Sequence, residues 1–444
     1  MSIDLSLDRI RRLQAKLVPY TRPTCHITGT NGKGSVAALL SSIFQASSAR
    51  TVGRFNSPHL VSIRDSITIN NEPVSADVYE AARSHVEQTD AAHAIGASSF
   101  ELLTCTALHI FERAQADAVV LEVGMGGRLD ATNIIPDSTV LASALTAVDL
   151  DHQAFLGSSV SAIALEKAGI ARPGRPFVLG KQVHAEVEPV VRRAAAQVGA
   201  EIVLAPSVVL HGNNSPAMLP PLPQSVQAQL PCFPESIRAL LPLHGEHQLA
   251  NLGTALGVVS ALFTHCPVDR LPWLAHLTPD SISRGIQNTK WPGRLSFHQL
   301  TPSSVVLADG AHNPASAFTL AAYLKTLLPR PITFLVALSH SPPKSPLETL
   351  APLLSLPTSY RVGLLQFSPP AGMPWVQPES LPNLRAVVSQ LAPDAEIWES
   401  SAEEPIEQLR SALKWAVEGD ELIVVAGSLY LVADFYRLLE ENPL

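Results

Sequence analysis

Cysteine is scarce in this chain: Cys25, Cys105, Cys232 and Cys266 are the only four in 444 residues. None are spaced as C-x-x-C, so neither a disulfide framework nor a thiolate zinc site organises the fold, and a reducing compartment is expected. Charge is also sparse, at 16% of residues, and 31 Lys and Arg against 39 Asp and Glu give a net charge of −8. With no dense basic run, no nucleic-acid partner is expected. Long apolar runs are missing as well. Residues 250–268 lack Asp, Glu, Lys and Arg, yet Asn251, Thr254, Ser260, Thr264, His265 and Pro267 interrupt them. The apolar part, Leu252–Phe263, has the length of a core helix, so no membrane association is expected. Asp4 and Asp8 precede any apolar run, so no secretory signal is expected. The expectation is a cytoplasmic monomer, with Arg9, Arg11 and Arg12 leaving a mitochondrial address open.

Proline is in excess: 37 residues, about 8% of the chain, where ~5% is usual. Because Pro removes a backbone donor and breaks helix interiors, the excess belongs in loops and edges. Eight prolines fall between Pro206 and Pro242, and Ser341–Pro378 is comparably dense. The first stretch reads as an irregular insertion within the first domain, the second as a long surface loop. Elsewhere short apolar runs alternate with helical patterns, the sign of an α/β fold with parallel strands. Strands are expected at Thr24–Thr28, Ala118–Val123, Thr139–Leu145, Phe177–Leu179, Val305–Ala308, Ile332–Ala337 and Glu421–Ala426. Val36, Leu39, Leu40, Ile43 and Phe44 mark one apolar helix face directly after the first strand. A fresh strand–helix series begins after Trp291-Pro292-Gly293. Two α/β domains are therefore expected, residues 1–293 and a smaller 294–444.

The strongest local signal is Gly29-Thr30-Asn31-Gly32-Lys33-Gly34-Ser35, a glycine-rich turn between a strand and an amphipathic helix. Such a turn points backbone N–H groups at an anion, and the helix N-terminus adds partial positive charge. Lys33 supplies a full charge for β and γ phosphates, and the Ser35 hydroxyl suits Mg²⁺. The spacing departs from G-x-x-x-x-G-K-[ST], since Gly34 separates Lys33 from Ser35. The plain alternative is a structural turn with a solvated lysine. Glu122 interrupts the apolar run Ala118–Val123 near its C-terminal end, where parallel sheets place their ligands. It reads as a metal-binding carboxylate or as a salt-bridged structural acid. His152, in Asp149-Leu150-Asp151-His152, reads alone as a satisfied structural histidine, and Lys167 as a lysine favoured by a helix C-terminus. Gln248 and Asn251 share a helix face, where their amides suit a base edge or a helix-terminal polar cluster.

T-G-T-N-G-K-G-S resembles the nucleotide loop of the Mur ligase superfamily, specifically the folate branch of dihydrofolate synthases and folylpolyglutamate synthases. Further matches extend the resemblance from residue 26 to 432: S-P-H-L at 57–60, R-D-S-I-T-I-N at 64–70, S-S-F-E at 98–101 and E-V-G-M-G-G-R-L-D-A-T-N at 122–133. D-H-Q-A-F-L-G at 151–157, E-K-A-G-I at 166–170, H-Q-L-A-N at 247–251, P-G-R at 292–294, D-G-A-H-N-P at 309–314 and G-S-L-Y-L at 427–431 complete it. The run D-S-I-T-I-N and Asn31 resemble the fungal dihydrofolate synthases. The family's acidic loop is absent at His340-Ser341-Pro342-Pro343-Lys344, which bears on glutamate binding.

The resemblance implies a P-loop-containing Mur-ligase-like central domain with a second, smaller Rossmann-like α/β domain. It implies ATP held by Gly29–Ser35, Gln248 and Asn251, with Arg294, Asp309 and His312 reaching it from the C-terminal domain. It implies catalytic roles for Lys33, Glu122, His152 and Lys167, and two Mg²⁺ ions at Ser35, Glu122, His152 and a carbamylated Lys167. Ser57, His59, Arg64, Phe100, Arg128 and Asp151 are the implied substrate contacts. The implied reaction joins L-glutamate to dihydropteroate through an acyl phosphate, with glutamate addition to (tetrahydro)folate, or a bifunctional enzyme, as the alternatives within the family. Outside it, a P-loop phosphotransferase or NTPase would use the same loop without needing glutamate. A catalytically dead binding module would have lost Lys33, Glu122 or Lys167, and all three are present.

Overall fold

The computed structural model describes residues 6–47, 49, 51–212, 218–266, 271–340, 345–370, 373, 375–419 and 422–441. The chain forms two compact units. One comprises 1–212, 225–242 and 247–290; the other comprises 213–224, 243–246 and 291–444.

The first unit is built on an eight-stranded sheet of β1 (Thr24–Thr28), β2 (Val52–Phe55), β3 (Ile67–Ile69), β4 (Glu72–Pro73), β5 (Ala118–Glu122), β6 (Val140–Leu145), β7 (Pro176–Leu179) and β8 (Glu201–Leu204). The order is β4-β3-β2-β5-β1-β6-β7-β8, parallel except for the β3–β4 hairpin at one edge. Every residue of β1, β5 and β6 is buried, as strands covered on both faces require. Helices α1 (Asp8–Gln14), α2 (Lys33–Ala46), α3 (Ala76–Ala92), α4 (Ser99–Arg113), α5 (Gln153–Leu156), α6 (Val160–Ala168), α7 (Val187–Val198), α8 (His247–His265) and α9 (Pro279–Gln287) complete the unit. Among the described residues no helix is long and apolar enough to cross a membrane.

Two expectations need correction here. The periodicity of α2 predicts one apolar face, but its residues from Ser35 to Phe44 are all buried. The sheet covers one side and α8 and α9 the other. The small residues Ala37, Ala38, Ser41 and Ser42 allow this close approach, and Ser42 Oγ donates to the Gly285 carbonyl of α9 (2.7 Å). Second, the stretch from Pro206 to Pro242 is not irregular. It carries β9 (Val208–Leu210), β10 (Gln224–Ala228) and β11 (Ile237–Leu241) in a three-stranded sheet. In β11, Ile237, Ala239 and Leu241 are buried while Arg238 and Leu240 are exposed, the period-two pattern of a half-covered strand.

The second unit holds a six-stranded sheet, order β12-β13-β17-β14-β15-β16, with β12 antiparallel and the rest parallel. Its strands are β12 (Ser296–Gln299), β13 (Val305–Ala308), β14 (Ile332–Val336), β15 (Tyr360–Leu364), β16 (Glu396–Glu399) and β17 (Leu422–Ala426). Helices α10 (Pro314–Lys325), α11 (Pro346–Leu354), α12 (Leu381–Leu391), α13 (Pro405–Ala416) and α14 (Leu429–Glu441) accompany them. The second proline-rich stretch is likewise more than a surface loop, because it supplies α11 and β15 to this core. Pro346 stands in the first turn of α11, where its missing N–H costs nothing.

Candidate active site

The site of the first unit grows from the end of β1, the strand between β5 and β6. The turn is fastened to the loop after β6: Thr30 and Asn31 donate their N–H groups to the Ala147 carbonyl (2.9 and 3.2 Å), and Thr146 Oγ1 donates to the Asn31 carbonyl (2.6 Å). Gly29 and Gly32 are required by space and conformation. Gly29 has φ +148°, and a Cβ there would lie 1.8 Å from Thr146 Oγ1. Gly32, at φ +92°, is the left-handed residue before α2, and its Cβ would lie 2.1 Å from Asn251 Oδ1.

Lys33 opens α2. Its Nζ donates to the Thr30 carbonyl (3.3 Å) and lies 4.0 Å from Glu122 Oε1. Ser35 is buried, and its Oγ accepts from Gln248 Nε2 (3.3 Å), while Gln248 Oε1 accepts from Asn251 Nδ2 (2.9 Å). The shared helix face of Gln248 and Asn251 is therefore turned to the loop. Both are buried, their amides engaged with Ser35 and with each other.

Glu122 closes β5 and is 4% exposed; its Oε2 accepts a short bond from Asn56 Nδ2 (2.6 Å). Lys167 is not the solvated lysine that its place near a helix C-terminus suggests. It is 4% exposed, and its Nζ donates to the Gly29 carbonyl at 2.7 Å. Burial, aided by the charge of Lys33, pulls its amine down to about 7 against the opposing pull of Asp151 and Asp130. At neutral pH a large fraction of this amine is uncharged and nucleophilic.

Asp130 is fully enclosed. It accepts from the Met125 N–H (2.8 Å), the Thr132 N–H (3.0 Å) and Thr132 Oγ1 (2.6 Å), and burial raises its pKa. Thr132 also bonds His26 Nε2 (2.8 Å), and burial lowers that imidazole to about 3, leaving it neutral. Thr28 Oγ1 donates to the Gly126 carbonyl (2.7 Å), so this buried network ties the end of β1 to the glycine turn after β5.

The remaining expected residues are less enclosed. His152 has a left-handed φ of +50°, a half-exposed ring, and Asp151 Oδ2 at 3.7 Å from its Nε2. Arg128 is exposed and forms a forked pair with the Glu166 carboxylate, 2.8 Å at the shortest. Phe100 is half-buried beside Phe55 and stands over Gly124, whose Cβ would lie 2.3 Å from its ring. His59 is buried, Ser57 half-buried, and Arg64 Nη1 donates to the Val74 carbonyl (3.3 Å).

In the second unit, Asp309 at the end of β13 spends both oxygens on its own loop, accepting from the Leu295 and Ala311 N–H groups (2.8 and 2.9 Å). Burial raises its pKa and the Arg294 charge opposes the rise. Arg294 Nη1 donates to the Gly293 carbonyl (2.8 Å), and His312 Nδ1 bonds the Gly310 carbonyl (2.8 Å). Residues 341–344 of the departing loop lie outside the described residues.

Among the described residues no three His, Cys, Asp or Glu side chains form a metal cage. One carboxylate, Glu122, and one hydroxyl, Ser35, are instead the donor set that Mg²⁺ accepts when nucleotide phosphates and water complete its shell. The residues present fit a metal that arrives with a nucleotide. Sequence reasoning passed over Asn56 and Thr146 and gave Asp130 no role. Asn56 carried the same signal as Glu122, a polar residue at the end of a buried strand.

The chain is 36% identical to the dihydrofolate synthetase of Saccharomyces cerevisiae over 449 residues, covering 99% of this chain and 98% of that protein. It belongs to the dihydrofolate synthetase family. The family model described as the dihydrofolate synthetase C-terminal domain matches residues 293–438. The probable dihydrofolate synthetase of Schizosaccharomyces pombe is 30% identical, with 99% of both chains covered. Among solved structures, Mycobacterium tuberculosis folylpolyglutamate synthase complexed with ADP and AMPPCP superposes with a TM-score of 0.79. It is 28% identical, with 99% of this chain and 96% of that one covered. A bifunctional folylpolyglutamate synthase/dihydrofolate synthase with Mn, AMPPNP and L-glutamate bound gives a TM-score of 0.77 at 26% identity, covering 99% and 95%. The chain is thus an ATP-dependent ligase of the folate branch of the Mur ligase superfamily.

Proposed function

We propose that this ligase joins L-glutamate to dihydropteroate, consuming ATP. The observation that carries the chemistry is the approach of Lys33 Nζ to the Glu122 carboxylate (4.0 Å) where β1 and β5 end, with the Ser35 hydroxyl two residues on in the first turn of α2. The substrate follows from the full-length likeness to the two fungal proteins. The substrate carboxylate attacks the γ-phosphorus, and ADP leaves. The glutamate amine then attacks the acyl-phosphate carbon, loses a proton and displaces phosphate. Both stages concentrate negative charge, so preorganised donors serve better than a protein nucleophile.

Residues 1–293 form the ATP- and pterin-binding domain in this reading, and 294–444 the ligase domain. Lys33 and the N-terminus of α2 bear on the β and γ phosphates. The motifs holding Arg294, Asp309 and His312 assign these residues to the nucleotide by resemblance, and Gln248 and Asn251 support the loop through Ser35. Mg²⁺, when bound, withdraws charge from the phosphoryl oxygens; Glu122 and Ser35 would hold one ion, and His152 with a carbamylated Lys167 a second. Phe100 offers a flat apolar wall to a pterin, and Ser57, His59, Arg64, Arg128 and Asp151 are the further substrate contacts of this reading.

ADP release measured with L-glutamate and either 7,8-dihydropteroate or tetrahydrofolate tests the assignment. Turnover with dihydropteroate is expected to exceed that with tetrahydrofolate at least tenfold. The reverse order would support the second reading, folylpolyglutamate synthase, which the likeness to the Mycobacterium tuberculosis enzyme favours. ADP release independent of glutamate would overturn both.

A further inference from the structure

Asn56 has no part in the reaction described above, yet its side-chain amide donates to the Glu122 carboxylate. β2 and β5 run parallel with Phe55 opposite Leu121, so the next residues, Asn56 and Glu122, emerge side by side at the strand ends. The backbone of Asn56 is pinned by its N–H, which donates to the Ser66 carbonyl (2.9 Å). Its side chain is 3% exposed, and Nδ2 reaches Glu122 Oε2 at 2.6 Å, the short distance of a donor facing an ionised acceptor. The two carboxylate oxygens are thereby made different. Oε2 is capped by a neutral amide, while Oε1 is the one toward Lys33, at 4.0 Å.

A neutral donor is the apt choice here. Lys33 and the buried Arg54 already place positive charge near Glu122, so a neutral donor orients the carboxylate without adding a third cation, and a hydrocarbon would leave it free to rotate. Asn56 also carries a burden that packing does not explain: its Oδ1 is buried with no partner in the protein. Reversing the amide to relieve that oxygen would turn it against Glu122, so the carboxylate dictates the orientation. Locally unfavourable hydrogen bonding of this kind is characteristic of functional positions.

We infer that Asn56 is a positioning residue that fixes the rotamer of Glu122, so that Oε1 meets the divalent ion entering with the nucleotide. The inference rests on the reading of Glu122 as a metal ligand. Residues that orient metal ligands affect metal affinity about 10–100-fold. ADP binding is measured by calorimetry across a Mg²⁺ titration and in EDTA, for the native enzyme, Asn56→Leu, Asn56→Ala and Glu122→Gln. Both Asn56 variants are expected to raise the Mg²⁺ concentration for half-maximal enhancement about tenfold or more, with metal-free ADP affinity unchanged. Asn56→Leu keeps the branched shape in a larger side chain and removes both the donor and the unpaired oxygen; because a buried carboxylate then loses its donor, some loss of melting temperature is expected under either role, and the Mg²⁺ titration decides. A merely structural role predicts the contrary: a loss in metal-free ADP affinity with an unchanged Mg²⁺ requirement, and that result overturns the inference. Should Asn56→Leu fail to fold, Asn56→Ala decides by the same two titrations. An unchanged Mg²⁺ requirement in Glu122→Gln would instead remove the reading of Glu122 itself. A raised requirement there, with none in the Asn56 variants, sinks the positioning role alone.

Discussion

Lys33→Ala is expected to lower turnover by about 10³-fold or more while the protein still folds. The side chain is partly exposed and makes few contacts: one bond to the Thr30 carbonyl at 3.3 Å and the 4.0 Å approach to Glu122. Little packing is lost with it, so the melting temperature is expected to change by only a few degrees. In the proposed reaction, what disappears is the full positive charge set beside the phosphates, where charge builds up in the transition state. Lys33→Arg keeps that charge but is expected to recover little, because the planar guanidinium needs more room than a compact ammonium. ADP formation with both substrates present, set beside a thermal melt of each variant, makes the measurement. Residual glutamate-dependent turnover above roughly a tenth of native would show that the loop lysine is not needed for phosphoryl transfer.

A comparable loss, about 10²-fold or more, is expected for Lys167→Arg. The two residues share length and charge in the protonated state, and arginine could still donate to the Gly29 carbonyl. They differ in that burial brings the Lys167 amine down to about 7, whereas a guanidinium stays protonated. Only the neutral amine attacks CO₂, forming an N–C bond and releasing a proton to leave a carbamate anion. The sign with pH follows: with an amine near 7, about nine-tenths is neutral at pH 8 and about a tenth at pH 6. Activity at fixed dissolved CO₂ is expected to fall as pH drops through 7, and added bicarbonate should restore part of it. ¹³C spectra of protein equilibrated with labelled bicarbonate are expected to show a carbamate resonance that Lys167→Arg lacks. Full activity in Lys167→Arg would rule out the modified lysine.

The phosphate loop was legible in the sequence because three signals meet within some twenty residues: a buried strand, glycines where the chain must turn, and a 3.6-residue period. Glu122 was legible because an acid inside an apolar run is costly to bury unless a partner or a ligand meets it. The burial of Lys167 was not, since its ammonium partner, the Gly29 carbonyl, is distant in sequence and nothing next to a lysine near a helix end announces it. The burial of α2 on all sides from Ser35 to Phe44 was hidden for the same reason: α8 and α9, which cover it, come some two hundred residues later. The proline-rich stretches misled in a different way. Pro206, Pro223, Pro231, Pro234 and Pro242 fall outside β9, β10 and β11, so the prolines mark where strands end and not where structure is missing.

The place of β1 in its sheet also sets an order of events during synthesis. Its neighbours β5 and β6 are about a hundred residues downstream, and the carbonyl of Ala147 that anchors Thr30 and Asn31 follows them. A nascent chain therefore carries the glycine-rich turn long before it can frame it. The amides of Gln248 and Asn251, which brace Ser35 and crowd Gly32, emerge later still. Nucleotide cannot template the early folding of this protein; the loop becomes a binding site only after more than half the chain has been made.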